Sequence, residues 1–259
     1  MAEASNTNVV AAGRVVLITG AGQGIGRVFA NRFAGLGAKV VIAEINEERG
    51  AAVAAEVEAA GGSALFVKTD IASPDSVEAM VRAADEKFGR VDVLINNAAI
   101  FSTIKMRPFE EIPFDEWNAV MNVNVTGVML ASKACLPAMR RGGWGRIINI
   151  SSSVVTMGRP LYLHYVTSKA AVVGMTRAMA RELGADGITV NAILPGATFT
   201  EVERETVVPE QKAAILAMQS IKRHEVPDDL ASVALFLASD ASEFVTGQSL
   251  AIDGGMTFR

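Results

Sequence analysis

The sequence contains a single cysteine, Cys135, and two histidines, His164 and His224. One cysteine cannot form an internal disulfide bond, and the chain has no Cys-x-x-Cys pair for redox chemistry or zinc binding. Two isolated histidines are too few for a histidine-based metal centre. The sequence therefore excludes a disulfide scaffold and gives no indication of a bound metal.

Charge is also sparse, since only 20% of the residues are charged and the formal net charge is −4. No cluster of lysine and arginine is present that could neutralise a row of phosphates, so a nucleic-acid partner is not expected. No uninterrupted apolar stretch approaches the ~20 residues that a membrane helix requires. The first residues carry Glu3 and lack a basic segment, so a secretory signal is not expected either. The chain is expected to be soluble and cytoplasmic.

Hydrophobic residues, in contrast, make up 50% of the 259 positions. This fraction excludes intrinsic disorder and is enough for one large core. Residues 1–13 are small, polar and without a repeating pattern, which predicts a disordered tail. No linker rich in proline, glycine or serine divides the remainder, so residues 14–259 are expected to form a single domain.

Short apolar runs alternate along the chain with longer, alanine-rich amphipathic segments. The runs lack the alternating polar residues of a half-exposed strand, which is expected when helices cover both faces of a sheet. The predicted strands are Val15–Thr19, Lys39–Glu44, Ala64–Thr69, Val91–Ile95, Arg146–Ser151, Ile188–Leu194 and Ser249–Ile252. The predicted helices span roughly 24–36, 46–60, 74–88, 115–141, 165–184 and 227–239. This alternation predicts an α/β fold, a Rossmann-like doubly wound parallel sheet of seven strands with helices on both faces.

The first predicted strand leads into a glycine-rich segment, GAGQGIG at 20–26, which opens the first helix. Glycines allow positive φ angles and a close approach of the backbone, while the free N–H groups of a helix N-terminus favour anionic oxygens. The spacing is TGxxxGxG rather than GxGxxG, and no Gly-Lys-Ser/Thr follows as in a P-loop. The segment therefore predicts a cradle for the phosphates of a dinucleotide, built from Gly20, Gln23, Gly24, Ile25 and Gly26.

Glu44 ends the second predicted strand, where a dinucleotide-binding fold places the acid that hydrogen-bonds the adenosine ribose. A carboxylate there repels a 2′-phosphate, and neither Gln23 nor position 45 supplies a positive charge. These residues predict NAD rather than NADP as the cofactor. Asp70 closes the third strand and could either bind the adenine amino group or cap a turn. Asn97 follows the fourth strand beside the same crevice.

Tyr165 and Lys169 are four residues apart in a predicted helix, so their side chains lie on one face. A free tyrosine has a pKa near ~10, and lowering that pKa to ~7 requires about 4 kcal/mol. One ammonium ~5 Å away contributes about 3 kcal/mol in an effective dielectric constant of ~20. The pair therefore predicts a tyrosine that exchanges a proton with an alcohol, and an oxidised nicotinamide could supply the remaining stabilisation.

Three further segments are predicted to place polar groups near this pair. Ser152 follows the fifth strand, and its hydroxyl is expected to orient or polarise a substrate oxygen. Asn124 lies inside the long predicted helix and is expected to hold a water molecule that connects Lys169 to solvent. The loop from Pro195 to Thr198 follows the sixth strand, and its backbone is expected to hold a carboxamide.

Taken together, these motifs resemble those of the short-chain dehydrogenase/reductase family from about residue 13 onward. The matching segments stand in the family's order and approximate spacing, namely Thr19-Gly20-xxx-Gly24-x-Gly26, Asn96-Asn97-Ala98, Asn124, Ser152, Tyr165-xxx-Lys169 and Pro195-Gly196. The resemblance implies a catalytic tetrad of Asn124, Ser152, Tyr165 and Lys169. In that tetrad Tyr165 is the acid/base, and Lys169 also contacts the nicotinamide ribose.

The same resemblance extends to the cofactor and to the assembly. It implies nicotinamide contacts near Thr198 and adenine contacts near Asp70 and Ile71. The C-terminal segments Thr246-Gly247-Gln248 and Asp253-Gly254-Gly255 are similar to those that members use near tetramer contacts, which implies a homotetramer.

Two positions depart from the family's usual pattern. Ala99 stands where the family has a glycine, and its methyl group is expected to narrow the nicotinamide or substrate side without affecting the chemistry. Glu44 replaces the commoner aspartate and is longer by one methylene, so NAD selection is expected to survive. Within the family, segments 143–149 and 253–256 are most similar to those of bacterial NAD-dependent secondary-alcohol dehydrogenases, including phenylethanol-type enzymes.

The expected substrate is an apolar or aromatic secondary alcohol, or the corresponding ketone. The expected pocket wall consists of Val154, Met157, Leu161, Tyr162, His164 and Phe199, with a lid at about residues 197–222. Two alternatives remain open. A 3-oxoacyl-carrier reductase would use NADP(H) and recognise its acidic carrier through a basic patch, whereas a dinucleotide sensor would bind NAD without turnover.

Overall fold

The computed structural model describes residues 11–202 and 209–258. Seven β-strands lie within these ranges: β1 (Val15–Thr19), β2 (Lys39–Glu44), β3 (Ser63–Lys68), β4 (Val93–Asn96), β5 (Gly145–Ile150), β6 (Ile188–Pro195) and β7 (Ser249–Ile252). They form one parallel sheet in the order β3-β2-β1-β4-β5-β6-β7. The predicted seven-stranded α/β fold, in a single domain, is therefore confirmed. From β1 the chain adds β2 and β3 on one side of the sheet and then crosses to add β4 on the other side of β1. Sheets of this kind bind their ligands at the boundary between these two halves, here between β1 and β4.

The described residues form nine α-helices: α1 (Gly24–Gly35), α2 (Glu47–Ala59), α3 (Pro74–Phe88), α4 (Phe114–Met121), α5 (Gly127–Gly142), α6 (Val154–Met157), α7 (Leu163–Leu183), α8 (Pro209–Met218) and α9 (Pro227–Leu237). Side chains of α1, α2 and α9 belong to one core layer, and those of α3, α5 and α7 belong to another. Helices therefore cover both faces of the sheet, as predicted.

Strand β1 shows why the apolar runs have no polar alternation. Val16 and Ile18 point into the layer of α1, while Val15 and Leu17 point into the layer of α3, and all four are fully buried. Successive side chains of a strand face opposite sides of the sheet, so a sheet that is covered on both sides requires apolar residues at every position.

The long predicted helix at 115–141 is interrupted. Helices α4 and α5 are joined by a π-helical turn at Asn122–Thr126, where Asn124 is fully buried. Two asparagines and two valines in this turn have low helix propensity, and π-turns of this kind are frequent at functional sites. Two helices of the structure, α6 and α8, were not expected from the sequence.

The start of helix α3 agrees with its sequence. Ser73 is the N-cap, its side chain accepts a hydrogen bond from the N–H of Ser76 (3.4 Å), and Pro74 opens the helix. At the other end, Gly89 has φ = 76°, a conformation that favours glycine.

The predicted disordered tail is wrong for residues 11–13. Ala11 is 2% exposed in the core, and the N–H of Gly13 donates to the carbonyl oxygen of Gly37 (2.9 Å). Residues 1–10 lie outside the described residues. The hydrogen bond from Gly13 to the segment before β2 thus makes residues 11–13 part of the folded domain.

Within the described ranges, one helical stretch, Phe114–Gly142, is long and apolar enough to span a membrane by length and composition. Its Ala131, Cys135 and Met139 pack in the core layer that also holds α3 and α7, as in a core helix. Cys135 is fully buried, and burial raises the pKa of its thiol to about 12. The thiol therefore packs in the core and stays protonated at neutral pH.

Candidate active site

A cavity of about 880 Å³ runs along the carboxyl ends of the strands. One end is lined by residues that follow β1, β2 and β3, and the other by residues that follow β4, β5 and β6 together with α7. Its size lies within the range of small-molecule and cofactor sites. The topology therefore brings the predicted cofactor and catalytic residues to one continuous space.

The glycine-rich turn forms the floor at the first end. Gly20 and Gly24 have φ angles of 64° and 56°, which a residue with a side chain rarely adopts. A Cβ atom at Gly26 would lie 2.2 Å from the carbonyl oxygen of Gly20. Asn97 secures the turn, because its Nδ2 donates to the carbonyl oxygens of Thr19 (3.0 Å) and Gly20 (2.9 Å). The turn therefore needs glycine for both its conformation and its close packing.

The N-terminus of α1 already holds an anionic group in this structure. Oε1 of Glu201 accepts a hydrogen bond from the N–H of Gly24 (3.0 Å) and lies 3.5 Å from Nη1 of Arg27. Partial burial raises the pKa of the Glu201 carboxyl, but the Gly24 N–H and the Arg27 charge outweigh it and keep that pKa below its usual value. The cradle thus stabilises negatively charged oxygen, which is the property that a dinucleotide phosphate requires.

Glu44 lies at the adenosine end that the sequence predicted, and its carboxylate is held in place. Oε2 accepts a hydrogen bond from the N–H of Gly22 (3.0 Å), and Oε1 accepts one from the N–H of Asn46 (3.0 Å). A basic residue, Arg49, stands at the same end and donates to Oε1 of Gln23 (2.6 Å). Sequence reasoning missed Arg49 because it considered only the position directly after Glu44, and one turn of α2 brings this side chain back to the cavity.

Asp70 and Ile71 line the same end of the cavity. Oδ1 of Asp70 accepts a hydrogen bond from the N–H of Ala72 (2.9 Å), so the side chain has the turn-capping role that was kept open. Ile71 is 8% exposed, and a Cβ atom on Gly127 would lie 3.0 Å from its side chain. An adenine contact by either residue stays a prediction.

At the other end, Tyr165 and Lys169 lie on consecutive turns of α7. Nζ of Lys169 is 5.7 Å from the centre of the Tyr165 ring and donates to the carbonyl oxygen of Ile150 (2.8 Å). Burial lowers the pKa of Lys169 to about 8, so the ammonium is still mainly charged at neutral pH. The structure therefore brings a buried positive charge to the phenol, as the spacing predicted.

The three serines after β5 divide into two groups. Oγ of Ser151 donates to the carbonyl oxygen of Lys169 (2.8 Å), and Oγ of Ser153 donates to Oδ2 of Asp253 (3.0 Å). These two hydroxyls hold the segment against α7 and the C-terminal turn. Ser152 lines the cavity, and its Oγ accepts a hydrogen bond from the N–H of Val154 (3.3 Å). In this bond the Ser152 oxygen is the acceptor, so its hydroxyl hydrogen can donate to another oxygen.

Asn124 uses its amide on the protein itself. Oδ1 accepts from the N–H of Ile100 (2.8 Å), while Nδ2 donates to the carbonyl oxygen of Ile100 (3.2 Å) and to Oγ of Ser168 (3.1 Å). These bonds tie the π-helical turn to the segment after β4 and to α7. A role for Asn124 in a water relay stays a prediction.

Four residues of the expected substrate wall lie elsewhere. Tyr162 is 2% exposed and packs behind Tyr165, with ring centres 6.4 Å apart. Nε2 of His164 is 2.9 Å from Oε1 of Glu116. Phe199 packs against the ring of His224 (4.5 Å), and the side chain of Leu161 is exposed at the surface. His164 neighbours Tyr165 on α7, where adjacent positions point in different directions. The directions of Leu161, Tyr162 and Phe199, which lie outside the helix, depend on the packing of their loops.

Other residues take their places in the wall. Val154 and Met157 line the cavity as predicted, together with Phe101 and Met218. The Phe101 ring centre is 4.6 Å from that of Tyr165. Phe101 and Met218 were missed because they come from the loop after β4 and from α8, which are distant in sequence.

The loop after β6 closes the cavity near Lys169. Pro195, Gly196 and Thr198 line it, and so does Thr200, which sequence reasoning did not select. Oγ1 of Thr198 donates to Oε1 of Glu225 (2.5 Å), and both residues are buried. The backbone of the loop is thereby placed at the cavity wall, where the carboxamide contact was predicted.

Comparison with known proteins agrees with this geometry. Residues 20–257 match a family model described as Enoyl-(Acyl carrier protein) reductase. The chain is 40% identical over 252 residues to the Short chain dehydrogenase/reductase astE of Aspergillus oryzae, covering 95% of each chain. It is 38% identical over 246 residues to a 3-oxoacyl-[acyl-carrier-protein] reductase of Synechocystis, covering 94% of this chain and 96% of the relative.

A solved structure is similar over the same extent. The structure of a 7α-hydroxysteroid dehydrogenase, complexed with NADH and 7-oxo glycochenodeoxycholic acid, superimposes with a TM-score of 0.92 at 35% identity. The match covers 97% of each chain. On the match over residues 20–257 and on these relatives, the chain belongs to the short-chain dehydrogenase/reductase family of oxidoreductases that bind a nicotinamide cofactor.

Proposed function

We propose that the protein transfers a hydride reversibly between NAD(H) and an apolar or aromatic secondary alcohol/ketone pair. The observation that supports this most directly is the buried Lys169 ammonium, 5.7 Å from the Tyr165 ring at the wall of the cavity. A positive charge in a buried site stabilises a phenolate far better than one in water does. Tyr165 is thus suited to exchange a proton at neutral pH.

The roles of the other residues follow from their contacts. In alcohol oxidation Tyr165 takes the hydroxyl proton, and Ser152, whose hydroxyl lines the cavity, positions the substrate oxygen by a hydrogen bond. When bound, NAD supplies the acceptor for the hydride that leaves the carbinol carbon. Asn124 keeps the segment at Ile100 and helix α7 in register, which maintains the path by which protons reach Lys169.

Glu44 supports NAD over NADP. Its carboxylate is held by two backbone N–H groups at the adenosine end, so it cannot turn away from a ribose that binds there. A fixed negative charge favours ribose hydroxyls and repels a 2′-phosphate. Arg49 at the same end is bound to Gln23, so its charge faces the glycine-rich turn rather than Glu44.

The wall of the cavity near Tyr165 supports an apolar substrate. Val154, Met157, Phe101 and Met218 contribute side chains there. The segment at about 197–222 is proposed as the lid, and its residues 203–208 lie outside the described residues. The similar hydroxysteroid dehydrogenase is complexed with NADH and 7-oxo glycochenodeoxycholic acid, whose oxo group is carried on a large carbon framework. That precedent fits a secondary alcohol carried on an apolar or aromatic framework.

A second candidate function is suggested by the relatives. The Synechocystis relative is named a 3-oxoacyl-[acyl-carrier-protein] reductase, and the family model carries an acyl-carrier name. Such an activity in this chain would require NADP(H), which Glu44 disfavours, and a basic surface for the carrier. Parallel assays with a panel of secondary alcohols and with a 3-oxoacyl thioester distinguish the two functions. A pure dinucleotide sensor would bind NAD and turn over neither.

We further propose a homotetramer in the cytoplasm, in keeping with the free, buried Cys135. Large apolar side chains are exposed in two separate regions. Phe109 and Phe114 are 69% and 78% exposed around the start of α4, and Phe244 and Phe258 are 100% and 81% exposed near β7. Contiguous apolar patches mark contact surfaces, and a tetramer with dihedral symmetry needs at least two, so these two pairs of phenylalanines are the proposed centres of contact.

Tyr165→Phe is expected to retain NAD binding while turnover falls by at least ~10²-fold, because the hydroxyl that exchanges the proton is removed. Steady-state kinetics with a secondary alcohol and titration of NAD binding measure the two effects. The matched control is Tyr162→Phe, because Tyr162 is the other tyrosine of the chain and its ring packs against that of Tyr165. Near wild-type turnover in Tyr165→Phe would remove this residue from the chemistry.

Glu44→Ala is expected to reduce the preference for NAD over NADP by roughly tenfold or more, because the charge that repels a 2′-phosphate is lost. The ratio of kcat/KM values for the two cofactors measures it. Glu47→Ala is the control, because Glu47 is an exposed acid nearby that pairs with Lys68. A wild-type protein that already prefers NADP would contradict the proposed selectivity.

Glu201→Gln is expected to bind NAD about fivefold more tightly, because a neutral amide holds the Gly24 N–H less strongly than the wild-type carboxylate and does not repel a phosphate. Equilibrium titration of NAD measures this affinity. Glu56→Gln is the control, since it removes a carboxylate from the same Arg27 without contact to Gly24. Unchanged or weaker binding in Glu201→Gln would show that this carboxylate does not compete with the cofactor.

Sedimentation equilibrium at micromolar concentration is expected to give a mass of about four times the 27.2 kDa of one chain. Phe244→Asp places a charge in one exposed apolar region and is expected to yield dimers held by the other region. A wild-type mass of one chain would contradict the assembly.

A further inference from the structure

Glu225 is a buried carboxylate that lies behind the loop after β6. It is 4% exposed, and its two carboxylate oxygens bind that loop. Oε1 accepts from Oγ1 of Thr198 (2.5 Å), and Oε2 accepts from the N–H of Gly196 (3.0 Å). The backbone adds a third bond, because the N–H of Phe199 donates to the Glu225 carbonyl oxygen (2.9 Å). Glu225 therefore holds the loop by both its side chain and its main chain.

The wall between this carboxylate and the cavity is one residue thick. Gly196 and Thr198 line the cavity on one side and bind Glu225 on the other. A Cβ atom on Gly196 would lie 2.7 Å from Oε2 of Glu225, so the loop packs directly on the carboxylate. This is the end of the cavity at which Lys169 and the proposed nicotinamide site are found.

The charge of Glu225 has no ion-pair partner within the part of the chain that the structure describes. Arg223 is directed to Asp229, with Nη2 2.6 Å from Oδ1 and Nη1 2.7 Å from Oδ2. Burial raises the pKa of Glu225 to about 7, the bonds from Thr198 and Gly196 oppose this rise, and the charges of Asp229 and Asp253 add to it. The carboxyl thus changes its charge near neutral pH.

Two further titratable groups lie beside the loop, but on Phe199 rather than on the carboxylate. The ring of His224 packs against the Phe199 ring at 4.5 Å, and Nζ of Lys212 in α8 is 5.4 Å from the centre of the same ring. On the C-terminal side, Asp253 is held by Ser153 and Thr257 (3.0 and 2.6 Å). Among these groups, Glu225 is therefore the one whose titrating carboxylate is hydrogen-bonded directly to the loop.

We propose that Glu225 is a positioning residue whose ionised form favours the oxidised, positively charged nicotinamide over the neutral, reduced one. The inference rests on the proposed function, because it requires that the nicotinamide bind beside the loop of Pro195 to Thr198. A carboxylate behind a thin, dry wall attracts a cation at the cavity surface and has little effect on a neutral ring. The affinity difference between NAD⁺ and NADH is the quantity that this charge controls.

The sign of the pH dependence follows from the pKa. Below about pH 7 Glu225 is neutral and does not distinguish the two cofactor forms, whereas above it the carboxylate is ionised. The ratio of NAD⁺ affinity to NADH affinity should therefore rise as the pH increases through 7. By linkage, NAD⁺ binding should also lower the pKa of Glu225 and release protons near that pH.

The test is to measure dissociation constants of NAD⁺ and NADH between pH 6 and 8 for the wild type and for Glu225→Gln. Glutamine has the shape of the neutral acid and can still bond both Gly196 and Thr198. We expect the NAD⁺/NADH affinity ratio of the wild type to rise by about 5- to 10-fold across this range. The ratio of Glu225→Gln should stay at the low-pH value. Changes toward pH 8 that arise from the titration of Lys169 should appear in both proteins.

Asp228→Asn serves as the control, because it removes one carboxylate from the first turn of α9 that pairs with Arg32 at the surface (2.7 Å). Its affinity ratio should follow that of the wild type. If Glu225→Gln keeps the wild-type rise, or loses affinity for both forms with the rise intact, the proposal is overturned and the residue is only structural. A wild-type protein that binds neither NAD⁺ nor NADH would overturn the proposed function itself.

If Glu225→Gln does not fold, a second measurement on proteins that retain Glu225 tests the proposal. Calorimetric titration at pH 6.5–7 in buffers of different ionisation enthalpy counts the protons that are released on binding. NAD⁺ should release a fraction of a proton and NADH should release none, in Tyr165→Phe as well as in the wild type. Equal proton counts for the two cofactor forms would overturn the proposal.

Discussion

The buried ammonium of Lys169 is the constraint on which the rest of the site depends. It donates to the carbonyl oxygen of Ile150, at the end of β5, so the charge is fixed relative to the sheet. The main chain of Lys169 is bound in turn by Ser151. Because both ends of the lysine are held by the same strand end, the ammonium stays beside Tyr165 although burial disfavours its charge. A lysine at the surface would be screened by water and would lower the pKa of a phenol much less.

Negative charge around the cavity is controlled in a common way. The carboxylates of Glu44, Glu201 and Glu225 each accept a hydrogen bond from a glycine N–H, at Gly22, Gly24 and Gly196 respectively. Glycine allows a carboxylate to approach the backbone closely, and Cβ atoms at Gly22 and Gly196 would each lie 2.7 Å from the facing glutamate. The three acids therefore stand at defined points along the proposed cofactor path, at the adenosine, phosphate and nicotinamide ends.

Much of the fold could be predicted because the pattern of buried strands is local. The bounds of β1, β2, β7 and α3 agree with the predicted segments, since short apolar runs, an N-cap serine and a terminal glycine are visible within a few residues. The π-helical turn at 122–126 could not be predicted in this way. It is stabilised by the bonds of Asn124 to Ile100 and Ser168, which are distant in sequence. Tertiary contacts therefore selected a backbone form that local propensity does not favour.

The sequence by itself determined which chemical groups are available, because Tyr165, Lys169 and the glycine-rich turn are recognisable from residue types and spacing alone. Only the tertiary structure decided which side chains reach the cavity. Tyr162 and Phe199 face other neighbours, while Arg49, Phe101 and Met218 reach the cavity from separate elements. The spacing of residues indicates how a side chain projects from its own helix or strand. The residues that this side chain contacts depend instead on how the helices and strands pack. The same packing sets the pKa of a buried group such as Glu225.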